Sequence, residues 1–227
     1  MPSGIRVSGR GSRPYRKYRP LPALILITLL GGFSLFIWFK ALHDGADIDA
    51  AVRCDPPASP PAGVTYTSAG HDALNDVNPI PPDKVAFRVL NASQARGQAA
   101  IITEELRQLG FNQAGKPADD PAYEDRSANC RGQIRYGDNG APAARTLSLL
   151  DGCIELIKDN RKDASVDLAI GTQFGSVLPR REAMRILDEL AAWSEERRGQ
   201  GSGELAAGGS GPEIEPTLLQ AARSTSC

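Results

Sequence analysis

"VAFRVLNASQARGQAAIITEELRQLGF", residues 85–111, changes its hydrophobic period once, and that change sets the fold class. Val85, Phe87 and Val89 alternate with Ala86, Arg88 and Leu90, the two-residue period of a strand. Ile102, Leu106 and Leu109 then recur at i, i+4, i+7 and form one apolar face of a helix. Gly110 is expected at the C′ position, where a left-handed residue ends the helix. Between the two periods lies the turn "NASQARG", residues 91–97. Asn91 suits the strand end because its side chain can bond back to the turn, and Ser93 is expected as the N-cap. Gly97 is expected to let the helix pack close to the sheet.

Strand, turn and helix in this order make up many phosphate sites, so the turn is the first candidate for function. It has a single glycine and lacks both the G-x-G-x-x-G and the G-K-[ST] spacings. A helix N-terminus still offers free N–H groups and a positive dipole end. Arg96 adds a cation, and Asn91 and Ser93 add hydrogen-bonding groups. Asn91, Ser93 and Arg96 are therefore the expected ligand contacts, for a sugar hydroxyl, a phosphate or a partner's carboxylate. Asn91-Ala92-Ser93 also matches a glycosylation sequon, which a packed turn disfavours.

Working outward, Phe111 opens a short, weak strand and residues 115–130 form an acidic, proline-bearing loop. "GQIRYG" places Ile134 and Tyr136 on one face of a further strand, and "DNG" is turn chemistry. Ala143, Leu147 and Leu150 give a second helical stripe, "CIELIKD" reads as a short edge strand, and "VDLAIG" points Val166, Leu168 and Ile170 inward. The order β-α-β-β-α-β-β predicts an α+β domain over 84–177, a two-layer ferredoxin-like βαββαβ(β) sandwich. Residues 178–198 read as an amphipathic helix. Its Met184, Leu187 and Ala191 stripe lies beside Ile186, Leu190 and Trp193, a face wide enough to dock on the domain or on a partner. The Gly- and Ser-rich residues 199–227 read as a disordered tail.

The near-zero net charge of -1 hides an asymmetry. Residues 1–20 carry six cations and no acid, leaving 20 basic and 27 acidic groups in the rest. Directly after this tail, residues 21–39 are uncharged, a length that spans roughly 28 Å as a helix, close to a bilayer's hydrocarbon core. Trp38 and Lys40 suit the far interface. The run is longer than the apolar core of a cleaved signal peptide. The expectation is an uncleaved signal anchor with a cytoplasmic N-terminus, one membrane pass and an extracytoplasmic C-terminal part. Residues 40–83 are expected as a juxtamembrane and linker stretch, with seven prolines between Cys54 and Lys84 favouring an extended spacer.

Outside the cytosol disulfides persist, and four cysteines allow three pairings that sequence does not distinguish. Cys130 and Cys153 both lie inside the predicted domain and are the favoured pair. Cys54 and Cys227 are left free to pair together, to stay reduced or to reach another chain. The chemistry of a catalyst is sparse. Residues 84–198 contain no histidine, and His43 and His71 lie outside the domain. With no C-x-x-C pair, a zinc site is not expected. Asp119, Asp120, Glu124 and Asp125 lack EF-hand spacing and read as a solvated loop. No catalytic residue, metal, cofactor or nucleic-acid partner is expected.

The segment from "VAFRVLN" to "RQLGF", followed by "GQIRYG", "APAARTLSLL" and "VDLAIGTQF", resembles the LytR_C domain, the C-terminal module of many LytR-CpsA-Psr cell-wall ligases. The basic tail, single anchor, "CDPP" linker start and lone LytR_C-like domain are similar to an actinobacterial family of envelope integrity proteins. The resemblance implies a role in the cell envelope. The ligases' catalytic domain is absent, so it implies no phosphotransfer. The expected function is an outward-facing, non-catalytic module that binds cell-wall glycan or peptidoglycan. The alternative is a scaffold for envelope-biogenesis proteins.

Overall fold

A computed structural model describes residues 21–57, 61–199, 212–224 and 227. The chain divides into two compact units, 1–43 and 44–227. Helix α1, Leu21–Val52, begins in the first and ends in the second. Leu24 and the large apolar side chains from Ile25 to Phe39 are exposed along it. Over the described residues no helix is long and apolar enough to cross a membrane. Of the expected 21–39 span and its flanks, the side chains of 22, 23 and 41–47 and the whole of the basic tail 1–20 lie outside the described residues.

The second unit is built on one mixed sheet. Its elements are β1 (Thr67–Ala69), β2 (Ala86–Asn91), α2 (Gln98–Gln108), β3 (Gln113–Ala114), β4 (Ala118–Asp119) and β5 (Gly132–Tyr136), then α3 (Ala141–Ser148), β6 (Glu155–Lys158), β7 (Val166–Ile170), α4 (Arg181–Gly199) and α5 (Pro216–Arg223). The strand order is β1-β6-β5-β7-β2-β3, with β4 also on β2. Strand β7 runs parallel to β2 and antiparallel to β5. The class is α+β, as expected, but the ferredoxin-like outline is not. That outline splits each βαβ unit by placing a strand between its two members. Here β2 lies directly beside β3, and β5 directly beside β6, both parallel. The central place goes to β7, buried along its whole length, because β3 and β4, at two residues each, are too short to form the middle of a sheet.

Both predicted helical stripes are buried. Ile102 and Leu106 of α2, with Ala143 and Leu147 of α3, join Phe87, Val89, Ile134, Tyr136, Val166, Leu168 and Ile170 in one core. Phe87 and Phe111 meet edge to face at 5.9 Å. Helix α2 ends as its sequence dictates: Gly110 sits at φ 91, its N–H donates to Arg107 and that of Phe111 to Leu106, the paired bonds of a Schellman cap.

Three expectations about the flanks are corrected. Residues 40–83 do not form a detached spacer. Beyond α1, β1 pairs antiparallel with β6, Leu74 is buried in the core, and Val77 and Ile80 pack against it. Prolines set the backbone, while the apolar residues between them fill the domain's edge without a period to reveal it. The tail is not wholly irregular either: Leu219 and Ala222 of α5 pack with Leu149, Ala183, Ile186 and Leu190. The Ile186, Leu187 and Leu190 part of the wide face of α4 is thus covered within the chain, while Ala191 stays exposed. Finally, Cys130 pairs with Cys54 and Cys153 with Cys227, at Cα separations of 4.9 and 5.5 Å, so the expected Cys130–Cys153 bridge does not form. Each cysteine of the predicted domain meets a segment that returns to it from outside 84–177.

Candidate ligand-binding face

Because side chains alternate along a strand, burying Ile134, Tyr136, Leu168 and Val89 under the helices sends their neighbours to the opposite face. There Arg135, Asp167 and Arg88 stand in register across β5, β7 and β2, a row of alternating charge. The adjacent row is Glu155, Gln133, Ala169 and Leu90. In an uncovered sheet these would be solvent-facing. Here Arg135, Gln133, Glu155 and Asp167 are all buried. The cover comes from residues 54–57 and 61–69 and from the 118–130 loop, pinned together by Cys54–Cys130.

Arg135 is the centre of the covered part. Its Nη1 and Nη2 donate to the two carboxylate oxygens of Asp120 at 2.8 and 2.7 Å, and both side chains are essentially inaccessible. Its Nε and Nη2 also donate to Gln133 Oε1, at 3.0 and 2.7 Å. Gln133 Nε2 donates onward to Glu155, which accepts the Cys54 N–H and the Ser68 hydroxyl as well. The guanidinium lies 4.8 Å from the Tyr66 ring centroid and 5.8 Å from that of Tyr123. Burial opposes the charge of Arg135, but the Asp120 bonds and charge outweigh it and hold the guanidinium above its ordinary pKa. Burial also raises Tyr66 and lifts Tyr123 to about 12, against the opposing pull of Arg135.

Beside this network the same face opens into a groove of about 740 Å³. Tyr66, Leu90, Pro121 and Val166 give it apolar walls, and Arg88, Asp159, Arg161, Asp163 and Asp167 give it polar ones. Arg88 Nε and Nη2 grip Asp167 at 3.0 and 3.2 Å. Arg161 bridges Asp159 and Asp167, and these two carboxylates outweigh the cost of burial and hold it above its ordinary pKa. With three carboxylates against two guanidiniums, the groove is not a site for polyanions. Its guanidiniums and carboxylates hold one another in fixed orientations at the groove wall. Among the described residues no three His, Cys, Asp or Glu side chains converge as for a metal ion.

The turn 91–97 is placed close by, at the end of β2, but is largely self-satisfied. Asn91 and Ser93 are buried; Asn91 Nδ2 donates to the Ala95 carbonyl, and the Ser93 N–H donates to Asn91 Oδ1. Ser93 is not the N-cap. That position is Gly97, at φ 76, with no side-chain cap, and the space around it is open, so Gly97 serves the left-handed backbone rather than close packing. Arg96 is exposed. The residues that sequence reasoning passed over, Arg88, Gln133, Arg135, Glu155 and Asp167, all sit at the non-core parity of their strands. Their signal was opposite charges at matching parity on several strands, which only register could bring together.

Residues 84–174 match the LytR_C family, described as LytR cell envelope-related transcriptional attenuator. Over 182 residues the chain is 37% identical to the cell envelope integrity protein Cei of Mycobacterium tuberculosis, covering 78% of this chain and 83% of the relative. The chain belongs to the Cei family. The fold is similar to the crystal structure of the soluble domain of a conserved hypothetical secreted protein from Mycobacterium marinum. The TM-score is 0.58 at 34% identity, covering 71% of this chain and 97% of that one.

Proposed function

We propose that the chain is a membrane-anchored, outward-facing, non-catalytic module that supports the cell envelope by holding wall glycan in the groove on the sheet's polar face. The observation that carries this reading is the row Arg135, Asp167, Arg88. Its inner member is locked under the Cys54–Cys130 cover, while its outer member, Arg88, is half-exposed at the groove. Paired charges of fixed orientation beside the Tyr66 ring can bind sugar hydroxyls and stack a pyranose face. Two disulfides support an oxidising location. The uncharged run 21–39 behind a basic tail supports a single-pass anchor with the C-terminal unit outside. Arg96 is assigned as an auxiliary contact, with Asn91 and Ser93 shaping the turn that presents it. Purified insoluble wall, incubated with the full chain in detergent, is expected to retain the wild type and to release Arg88→Ala. Equal retention of the two would remove the groove from the proposal, and no retention of either would remove glycan binding.

A further inference from the structure

Two other arginines are buried in a different way. Arg145 of α3 is 1% exposed and Arg223 of α5 is 4% exposed. Both donate Nη1 to the same oxygen, Asn75 Oδ1, at 3.3 and 3.2 Å. The Nε of each is buried with no hydrogen-bond partner among the described residues. Among the described residues no carboxylate forms an ion pair with either; the nearby Asp72 accepts instead from Asn75 Nδ2 and lies 3.5 Å from His71. Burial alone pulls Arg145 below its ordinary pKa, and burial together with the charge of Arg145 brings Arg223 down to about 10. Arg135, by contrast, has a bidentate carboxylate and a carboxamide on its donors. The chain can satisfy a buried guanidinium and here does not. Two forks and two unpartnered Nε groups around one neutral acceptor make a donor set that matches a multivalent anion.

We infer that Arg145, Arg223 and Asn75 form a binding site for a phosphate group, free or carried on an envelope polymer. A tetrahedral phosphate offers enough oxygens to accept from both forks at once. The exposed Asn75 and Asp72 mark its mouth. Because Arg223 lies on α5, held by Cys153–Cys227, occupancy would also fix the C-terminal segment to the domain.

Thermal unfolding of the full chain in detergent tests this, with sodium phosphate compared against sodium chloride at matched ionic strength. A tenfold excess of phosphate over its Kd should raise the midpoint by about 4 °C beyond chloride. Arg223→Gln and Asn75→Asp should both fold and both lose that increment, the first by removing a fork, the second by placing a fixed carboxylate on the shared position. A parallel titration with soluble poly(glycerol phosphate) separates the sources: a response to inorganic phosphate alone assigns a free ion, and a response to the polymer assigns a polymer-borne group. No increment in the wild type with either anion, or an increment that survives in Arg223→Gln, would overturn the site.

Discussion

The two faces of the sheet are stabilised by different physics. The face under α2 and α3 is a continuous apolar core in which Ile134, Leu168 and Val89 gain by leaving water. Any well-packed hydrophobic set of the right volume would serve there. The opposite face buries an ion pair, whose desolvation cost is recovered only if every donor and acceptor is met. What that face gains is specificity: Asp120, Tyr66, Tyr123 and Glu155 fix where residues 54–57 and 61–69 and the 118–130 loop lie, and hence where the groove opens.

The comparison is broken most sharply at Asp120. Asp120→Asn leaves Arg135 buried without its counter-charge and should cost about 4 kcal/mol. Arg135→Met should cost a similar amount, and Arg135→Met combined with Asp120→Leu should cost less than either single change, a coupling read directly from denaturant midpoints. Next, Cys54→Ser with Cys130→Ser should lower stability by about 3 kcal/mol, the middle of the range usual for a disulfide. Tyr66→Ala should cost about 2 kcal/mol, through lost packing and the lost ring over Arg135. The smallest effect is in alkali. Tyr123 has a folded pKa of about 12 against an ordinary 10.0, so its contribution is complete below pH 10 and is lost as pH rises toward 12. Tyr66 and Tyr136 shift in the same direction. Tyr123→Phe should therefore weaken, but not abolish, the alkaline loss of stability measured between pH 9 and 12.

The same contrast explains what could be read in advance. Periods of 2 and 3.6 fixed β2, α2, β5, α3 and β7, because those residues report directly on burial under a regular neighbour. Gly110 announced its cap for the same local reason. The polar face was illegible, since Arg88, Arg135 and Asp167 look like ordinary solvent-facing strand positions until register aligns them. The covering segment was hidden by its prolines. With no period to follow, Tyr66, Leu74 and Ile80 gave no sign of packing. The disulfides followed from the same omission, because each bridge ties the predicted domain to a flank taken to be detached.

Amide hydrogen exchange in Asp120→Asn and Ile134→Ala tests the division between the faces most directly. Asp120→Asn should lose protection first in residues 61–69 and 118–130 while β2 and β7 stay protected, whereas Ile134→Ala should lower protection of both groups together. Uniform loss in Asp120→Asn, with the covering segments no more affected than β7, would contradict the account.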